Sequence, residues 1–193
     1  MASEASVARS GPEDGGGVSP APSEERQSKM AVTVRLVERR DAEAIRAIYN
    51  LEVSESTVTF DLVPRSLDEQ VEWIDAHSGG HPAVVAVSDD GDVLGFGSLS
   101  PYRDRPAYKP TVEDSVYVRR DARGEGLGRV VLDELLRLGA AQGFHSVVAR
   151  IVGGHAASIA LHEACGFEIV GTEREVGRKL GKWLDVLLMQ RML

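Results

Sequence analysis

The chain has a single cysteine, Cys165, in 193 residues. An internal disulfide is excluded, and with it the class of small secreted domains held together by such bonds. Cys165 falls on the apolar stripe of a helical segment, which predicts a core residue rather than a nucleophile. No run of residues approaches the ~20 apolar positions of a membrane-spanning helix. Basic residues are in deficit: 22 Lys and Arg against 30 Asp and Glu give a net charge of −8. That argues against nucleic acid as a partner. The few clustered cations (Arg119, Arg120, Arg123 and Arg129) suit a small polyanion instead. The five histidines and one cysteine show no metal-ligand spacing, so no metal is expected. Residues 1–30 lack apolar content, with Val7 and Val18 their only branched apolar residues. They cannot bury enough surface to offset the entropy of ordering, so the expectation is a disordered tail ahead of one domain over residues 31–193. The tail has no apolar centre and does not read as a signal peptide; Met30 is a second possible start. A soluble, cytoplasmic protein is expected.

What is present in abundance is glycine, and its placement matters most. Arg123-Gly124-Glu125-Gly126-Leu127-Gly128 follows the apolar stretch Ser115–Val118 and opens an amphipathic helix. A strand, a glycine turn and a helix N-terminus together aim backbone N–H groups and the positive dipole end at one spot. A phosphate-bearing ligand is the natural occupant. A P-loop would need Lys-Ser/Thr after the last glycine, but Gly128 is followed by Arg129-Val130. A dinucleotide fingerprint would need glycine where Arg129 stands.

Periodicity predicts strands over Val32–Val37, Pro82–Val87, Val93–Leu99, Thr111–Val118, Ser146–Val152, Phe167–Thr172 and Leu184–Met192. The strand Ser146–Val152 reads as too continuous to have a solvent face. Helices are predicted after Asp41 as cap, through Ile45, Ile48, Tyr49 and Val53; after the capping box Ser66–Glu69, towards His77; from Leu127 through Leu138; and over Ala157–Cys165. Ser54–Val63 reads as irregular. His77, His81 and His145 read as surface residues. The fold class is α/β (α+β): a mixed, mostly antiparallel central sheet flanked by helices.

Arg123 to Gly128, read as Arg/Gln-x-x-Gly-x-Gly, resembles the pyrophosphate-binding signature of the GNAT superfamily of N-acetyltransferases. Ile48-Tyr49-Asn50, Ser56–Phe60, Glu72-Trp73-Ile74, Ala107-Tyr108, Thr111–Val118, Gln142-Gly143-Phe144, Ser158 with Leu161-His162-Glu163, Gly166-Phe167 and Gly181–Val186 resemble the phosphinothricin and methionine sulfone/sulfoximine N-acetyltransferase branch. The resemblance spans about residues 32–193. It implies the acetyltransferase fold, with acetyl-CoA as donor and a small amino-acid-like amine as acceptor. Backbone groups at Val116, Tyr117 and Val118 would pair with pantetheine. Arg123, Gly124, Glu125, Gly126, Leu127, Gly128 and Arg129 would hold the pyrophosphate. Ser158 would contact the cofactor, as would His155, which stands where the family usually has asparagine. The resemblance also implies a homodimer closed by the C-terminal strands, which carry Trp183 and Asp185.

Acetylating an amine requires that it lose a proton. Glu113 matches the family's catalytic glutamate, and strand alternation puts it on one face with Ser115 and Tyr117. Tyr117 is a second catalytic candidate. His162 occupies the position from which a general acid would serve the leaving thiolate; it could equally be a structural histidine. For the acceptor, Arg103 and Arg105 offer guanidinium groups to a carboxylate or phosphinate. Phe60 and Tyr108 are candidate walls. Direct transfer to a small amino acid, with Glu113 as base, is the expected reaction. The rivals are a protein or peptide N-acetyltransferase and a non-catalytic acyl-CoA-binding protein.

Overall fold

The computed structural model describes residues 31–193, and the tail expected over residues 1–30 lies outside them. The elements are β1 (Val32–Leu36), α1 (Ala42–Glu55), α2 (Leu67–Ala76), β2 (Ala83–Ser88), β3 (Val93–Pro101), β4 (Thr111–Val118), α3 (Leu127–Ala141), β5 (Ser146–Val152), α4 (Ala156–Ala164), β6 (Glu168–Lys179) and β7 (Lys182–Met192). The strands form one seven-stranded sheet in the order β1-β2-β3-β4-β5-β7-β6. Every neighbouring pair is antiparallel except β4 and β5.

The sheet is buried from two sides. On one, α3 presents Val131, Leu132, Leu135 and Leu136 to Val84, Leu99, Val112 and Val147, and α4 closes the layer with Cys165 and Phe167 following it. On the other, Ile45, Ile48, Tyr49 and Val53 of α1 and Ile74 of α2 pack on Val85 and Phe96. Side chains this fully buried contribute ~1.5–3 kcal/mol each. Gly97 sets the spacing between α3 and the sheet. A Cβ there would lie 2.8 Å from the Ser115 carbonyl oxygen and 2.8 Å from Val131 Cγ1.

Several expectations are corrected. Asp41 stands at the N-cap of α1, as expected, but its side chain makes no cap hydrogen bond to the helix. It ends a 3-10 turn, Arg39–Asp41, and its carboxylate accepts from the Glu38 N–H (2.8 Å) and from both terminal nitrogens of Arg35 (2.7 Å each). α1 continues through Ser54 and Glu55. The final hairpin is longer than the apolar pattern suggested. β6 and β7 run to a two-residue tip, Leu180-Gly181, in which both residues hold positive φ (49° and 77°). The period-2 signal fails because the register shifts twice, between Ile169 and Gly171 and between Glu173 and Gly177. Glu175, at φ 49°, is held in the second shift by an N–H donated to Asp185 Oδ1 at 2.8 Å. The capping box at Ser66 forms in both directions as expected.

Candidate active site

β4 delivers the chain into the 3-10 turn Arg120–Ala122 and then into the glycine turn. Gly124 and Gly126 hold φ of +88° and +79°, yet a Cβ at either would meet nothing within 4 Å. Backbone conformation, not crowding, requires glycine there. Gly126 is the N-cap of α3 and supplies no side-chain acceptor; the Arg129 and Val130 amides donate to its carbonyl (3.1 and 3.3 Å), and those of Leu127 and Gly128 are left for a ligand. Gly128 plays another part. A Cβ there would lie 3.1 Å from Leu161 Cδ2, so its absence lets α3 approach α4.

The cations around this turn are already engaged. Arg123 donates to Glu52 Oε1 (2.9 Å) and to the Val118 carbonyl (3.2 Å). Arg120 donates to the same Glu52 oxygen (2.9 Å) and to Glu55 (2.7 Å). Burial alone would raise the pKa of Glu52, but Arg120, Ser56 and Arg123 together hold it below the usual carboxylate range. Arg129 leans towards Asp133 (3.5 Å) and faces a separate surface hollow beside Cys165 and Arg191. Neither Arg129 nor Glu125 lines the cleft described next. Arg123 thus braces the turn, leaving backbone amides to meet an anion.

Between β4 and β5 the sheet parts. Their parallel pairing covers only Thr111–Glu113 against Ser146–Val148, while β5 stays paired with β7 as far as Val152. The opening leads into a cleft of about 590 Å³. Gly124, Gly126, Leu127 and Gly128 of the turn line it, as do Val116, Tyr117 and Val118 of β4, with Glu113 further back along that strand, and Phe60. His155 and Ser158 line it as well. His155 is the N-cap of α4, where its Nδ1 accepts the Ser158 N–H at 3.3 Å. His155 therefore serves as the side-chain cap of α4.

The two faces of β4 carry different chemistry. Glu113, Ser115 and Tyr117 alternate onto the α1 side, as expected. Glu113 is half-buried. Burial raises its pKa, Arg150 opposes the rise, and Asp114 and Glu173 add to it. A carboxyl poised above its usual range suits a base working near neutrality. Tyr117 does not suit that role. Its ring stacks on Phe96 (5.2 Å) and meets Tyr49 edge-on (5.1 Å), and burial drives its phenol pKa far up.

On the opposite face Asp114 is buried against His162, with Oδ2 3.0 Å from Nε2. His162 Nδ1 lies 2.7 Å from the Ser158 carbonyl oxygen, which can only accept, so Nδ1 carries a hydrogen. Burial pushes the His162 pKa down, but the Asp114 carboxylate more than reverses this, and the net direction is up. His162 is therefore one half of a buried pair, which its position near a helix end did not suggest.

The loop between β3 and β4 holds Arg103, Arg105 and Tyr108 outside the cleft lining. Arg103 sits over Tyr102 (4.9 Å) and Tyr108 (5.6 Å). Phe60 does reach the cleft, on an irregular segment pinned from several sides. Tyr49 donates to Asp61 (2.6 Å), the Asn50 side chain bonds the Arg65 backbone twice (2.8 Å each), and Lys179 Nζ donates to the Thr59 carbonyl (2.8 Å). His77 is not a surface residue: its nitrogens meet the Trp73 carbonyl (2.7 Å) and Ser100 Oγ (3.1 Å). Cys165 is buried with its thiol pushed up to about 11 by burial and by Asp133, and it lies outside the cleft. Among the described residues, no three His, Cys, Asp or Glu side chains converge as a metal site.

Sequence reasoning missed Glu52, Asp114 and Arg150. Each carried a signal. Glu52 falls on the apolar stripe of α1, seven residues after Ile45; Asp114 alternates with Val112 and Val116 on the buried face of β4. Arg150 interrupts the run Ser146–Val152 and gives that strand the open face it was expected to lack.

A mixed sheet that parts at its centre beside an uncapped helix, with a poised carboxyl across the gap, is the architecture of an N-acetyltransferase. Residues 34–188 match the family model described as acetyltransferase (GNAT) domain, and the chain belongs to that family. It is 43% identical over 162 residues to an L-methionine sulfoximine/L-methionine sulfone acetyltransferase of Pseudomonas paraeruginosa, covering 83% of this chain and 94% of the relative. It is 39% identical over 168 residues to a phosphinothricin N-acetyltransferase of Alcaligenes faecalis, covering 86% and 85%. Among solved structures it resembles a GNAT superfamily phosphinothricin acetyltransferase from Sinorhizobium meliloti in complex with AcCoA, with TM-score 0.82, 39% identity, and coverage of 85% of this chain and 89% of that one.

Proposed function

We propose that this protein transfers the acetyl group of acetyl-CoA to the amino group of a small amino acid or analogue of the phosphinothricin, methionine sulfoximine or methionine sulfone kind. The observation that carries the reading is the single cleft joining the uncapped N-terminus of α3 to Glu113 across the parted strands. The uncapped amides fit a pyrophosphate. The β4 edge that β5 leaves unpaired fits the amides of a pantetheine arm. The thioester supplies the acyl carbon.

Glu113 takes the ammonium proton, directly or through water. The nitrogen then attacks the thioester carbonyl and the C–N bond forms as the C–S bond breaks; the second proton that the nitrogen sheds on becoming an amide goes to the departing thiolate, directly or through solvent, and a thiol leaves. Transfer is direct, because the cleft offers no competent nucleophile of its own. Ser158 Oγ lies 3.5 Å from His162 Nδ1, but that nitrogen already carries a hydrogen directed at the Ser158 carbonyl and cannot act as a base. Cys165 lies elsewhere and stays protonated. The Asp114–His162 pair lines the cleft from the opposite face of β4; both imidazole nitrogens are engaged, so it would act on the leaving thiolate through its charge and not by donating a hydrogen bond. Arg103, Arg105 and Tyr108, on the loop leading into β4, serve the far end of the acceptor, and Phe60 forms a wall.

We also infer that residues 31–193 are the working unit and that it is a cytoplasmic homodimer. Exposed Ile169, Val170, Val176, Leu180, Trp183 and Met192 on β6, β7 and their tip support that association.

The test is thiol release from acetyl-CoA by purified protein with a panel of amines. Turnover with phosphinothricin, methionine sulfoximine or methionine sulfone, and not with peptides, is expected. Transfer only to peptides would move the protein to the peptide-acetylating class. Binding without turnover would make it an acyl-CoA sensor.

A further inference from the structure

Two guanidinium groups line the cleft among the described residues, those of Arg123 and Arg150. Arg123 is at the turn and is tied to Glu52. Arg150 is on β5. It lies two residues beyond Val148, the β5 partner of Glu113, so strand alternation sends its side chain to the Glu113 face. Its charge reaches the Glu113 carboxyl, where it opposes the rise in pKa. Arg150 holds one ion pair, from one terminal nitrogen to Glu173 Oε2 on β6 at 2.7 Å, and both partners remain about one-third exposed.

An α-amino acid carries its carboxylate on the very carbon that bears the amine. Whatever cation reads that carboxylate must lie within a few ångströms of the base that takes the amine proton. Arg150 fits this requirement, since it lines the cleft on the Glu113 face and its charge acts on the Glu113 carboxyl, whereas Arg103 and Arg105 are outside the lining. A guanidinium held by a single contact keeps donors free for a second carboxylate. We propose that Arg150 binds the α-carboxylate of the acceptor, with Glu173 holding the guanidinium in place until the acceptor arrives. The distal sulfone, sulfoximine or phosphinate is then left to the loop arginines. This assignment rests on the reading of the protein as an amino-acid N-acetyltransferase.

The experiment compares methionine sulfone with its α-carboxamide as acceptors, in steady-state thiol-release kinetics of wild type, Arg150→Gln, Arg150→Lys and Arg105→Ala. Wild type should prefer the acid. In Arg150→Gln that preference in kcat/KM should fall by about 10- to 100-fold, the range of a charge-assisted hydrogen bond, with KM for acetyl-CoA unchanged. Arg150→Lys should recover part of it. A second readout does not depend on acceptor affinity. The charges that bear on Glu113 are Arg150 on β5, Asp114 on β4 and Glu173 on β6. Loss of the one cation among them should move the acid limb of the pH–rate profile to higher pH.

Arg150 and Glu173 are part-exposed, so losing their pair should cost little stability, and a melt confirms folding. Should Arg150→Gln fail to fold, Glu173→Gln frees the same guanidinium and should lower KM for the acid but not for the amide. An Arg150→Gln enzyme that keeps its preference for the acid, or loss of that preference in Arg105→Ala alone, overturns the assignment. No turnover of any free amino acid by wild type, with turnover of peptides, would instead refute the amino-acid reading and take this inference with it.

Discussion

Glu52→Gln isolates the brace beneath the glycine turn. The Glu52 side chain is 4% exposed, whereas those of Arg120 and Arg123 are 39% and 47% exposed. Removing one partner of a fully buried pair costs about 3–5 kcal/mol. Both guanidinium groups can regain water here, and the glutamine oxygen can still accept one N–H, so the expected loss is about 1–3 kcal/mol. For a chain of this length that corresponds to a fall in Tm of about 3–10 °C.

The effect has a pH signature. The folded-state pKa of Glu52 is depressed below its ordinary value of 4.5. Its contribution is therefore complete above the unfolded value and disappears as pH falls through the folded one. Melts of wild type and Glu52→Gln across a pH series should differ by a constant amount from pH ~8 down to ~5 and converge below ~4.5. Equal melting temperatures at neutral pH, or a gap that persists undiminished in acid, would refute the reasoning.

Glu113→Gln should bind acetyl-CoA normally and lose about 10²- to 10⁴-fold in kcat at neutral pH, with partial recovery as pH rises and the free amine becomes available; wild-type kcat at pH 7 would exclude Glu113 as the base. Gly126→Val meets no neighbour but must hold φ +79°, so the fold should survive while the acetyl-CoA-induced rise in Tm is lost; a full shift would place the anion elsewhere. Asp114→Asn removes the charge that raises His162, and burial should then take the imidazole pKa below 6.5 in an NMR titration. The stability that the pair adds is complete below pH ~6.5 and lost as pH rises through the folded pKa, so the Tm deficit of this variant should be largest in mild acid; an unmoved titration would refute the coupling. Removal of residues 1–29 should leave kcat and Tm unchanged, because every residue assigned to the site lies within 31–193.

The strands and helices that pack against one another were legible because their apolar residues keep a strict period. β4 was read at its observed bounds and α3 from its observed start but three residues short, at Leu138 instead of Ala141. The β6–β7 hairpin was under-read because two register shifts and a Leu-Gly tip broke the alternation that marks a strand. In the site, Glu113 and the glycines were legible as motifs. Asp114 was not, since a charge on the buried face of a strand acquires meaning only when His162 arrives from α4, forty-eight residues later. Arg123 was legible as a basic residue but not as a brace, for Glu52 is seventy-one residues away. Tyr117 was credited with chemistry that its burial between Tyr49 and Phe96 withholds.

The short pairing between β4 and β5 leaves a mark on exchangeable hydrogens. Arg119 donates its N–H to the Leu94 carbonyl on β3. By alternation, Tyr117, Ser115 and Glu113 also turn their N–H groups to β3, and Val116 and Val118 turn theirs towards the gap. Those two amides sit in the middle of a seven-stranded sheet, where deuterium would ordinarily enter slowly, yet no strand covers them. In the free protein they should exchange like a frayed edge, and with acetyl-CoA bound like an interior strand. The cofactor is thus both a substrate and the missing stitch between the β1–β4 half of the sheet and the β5–β7 half.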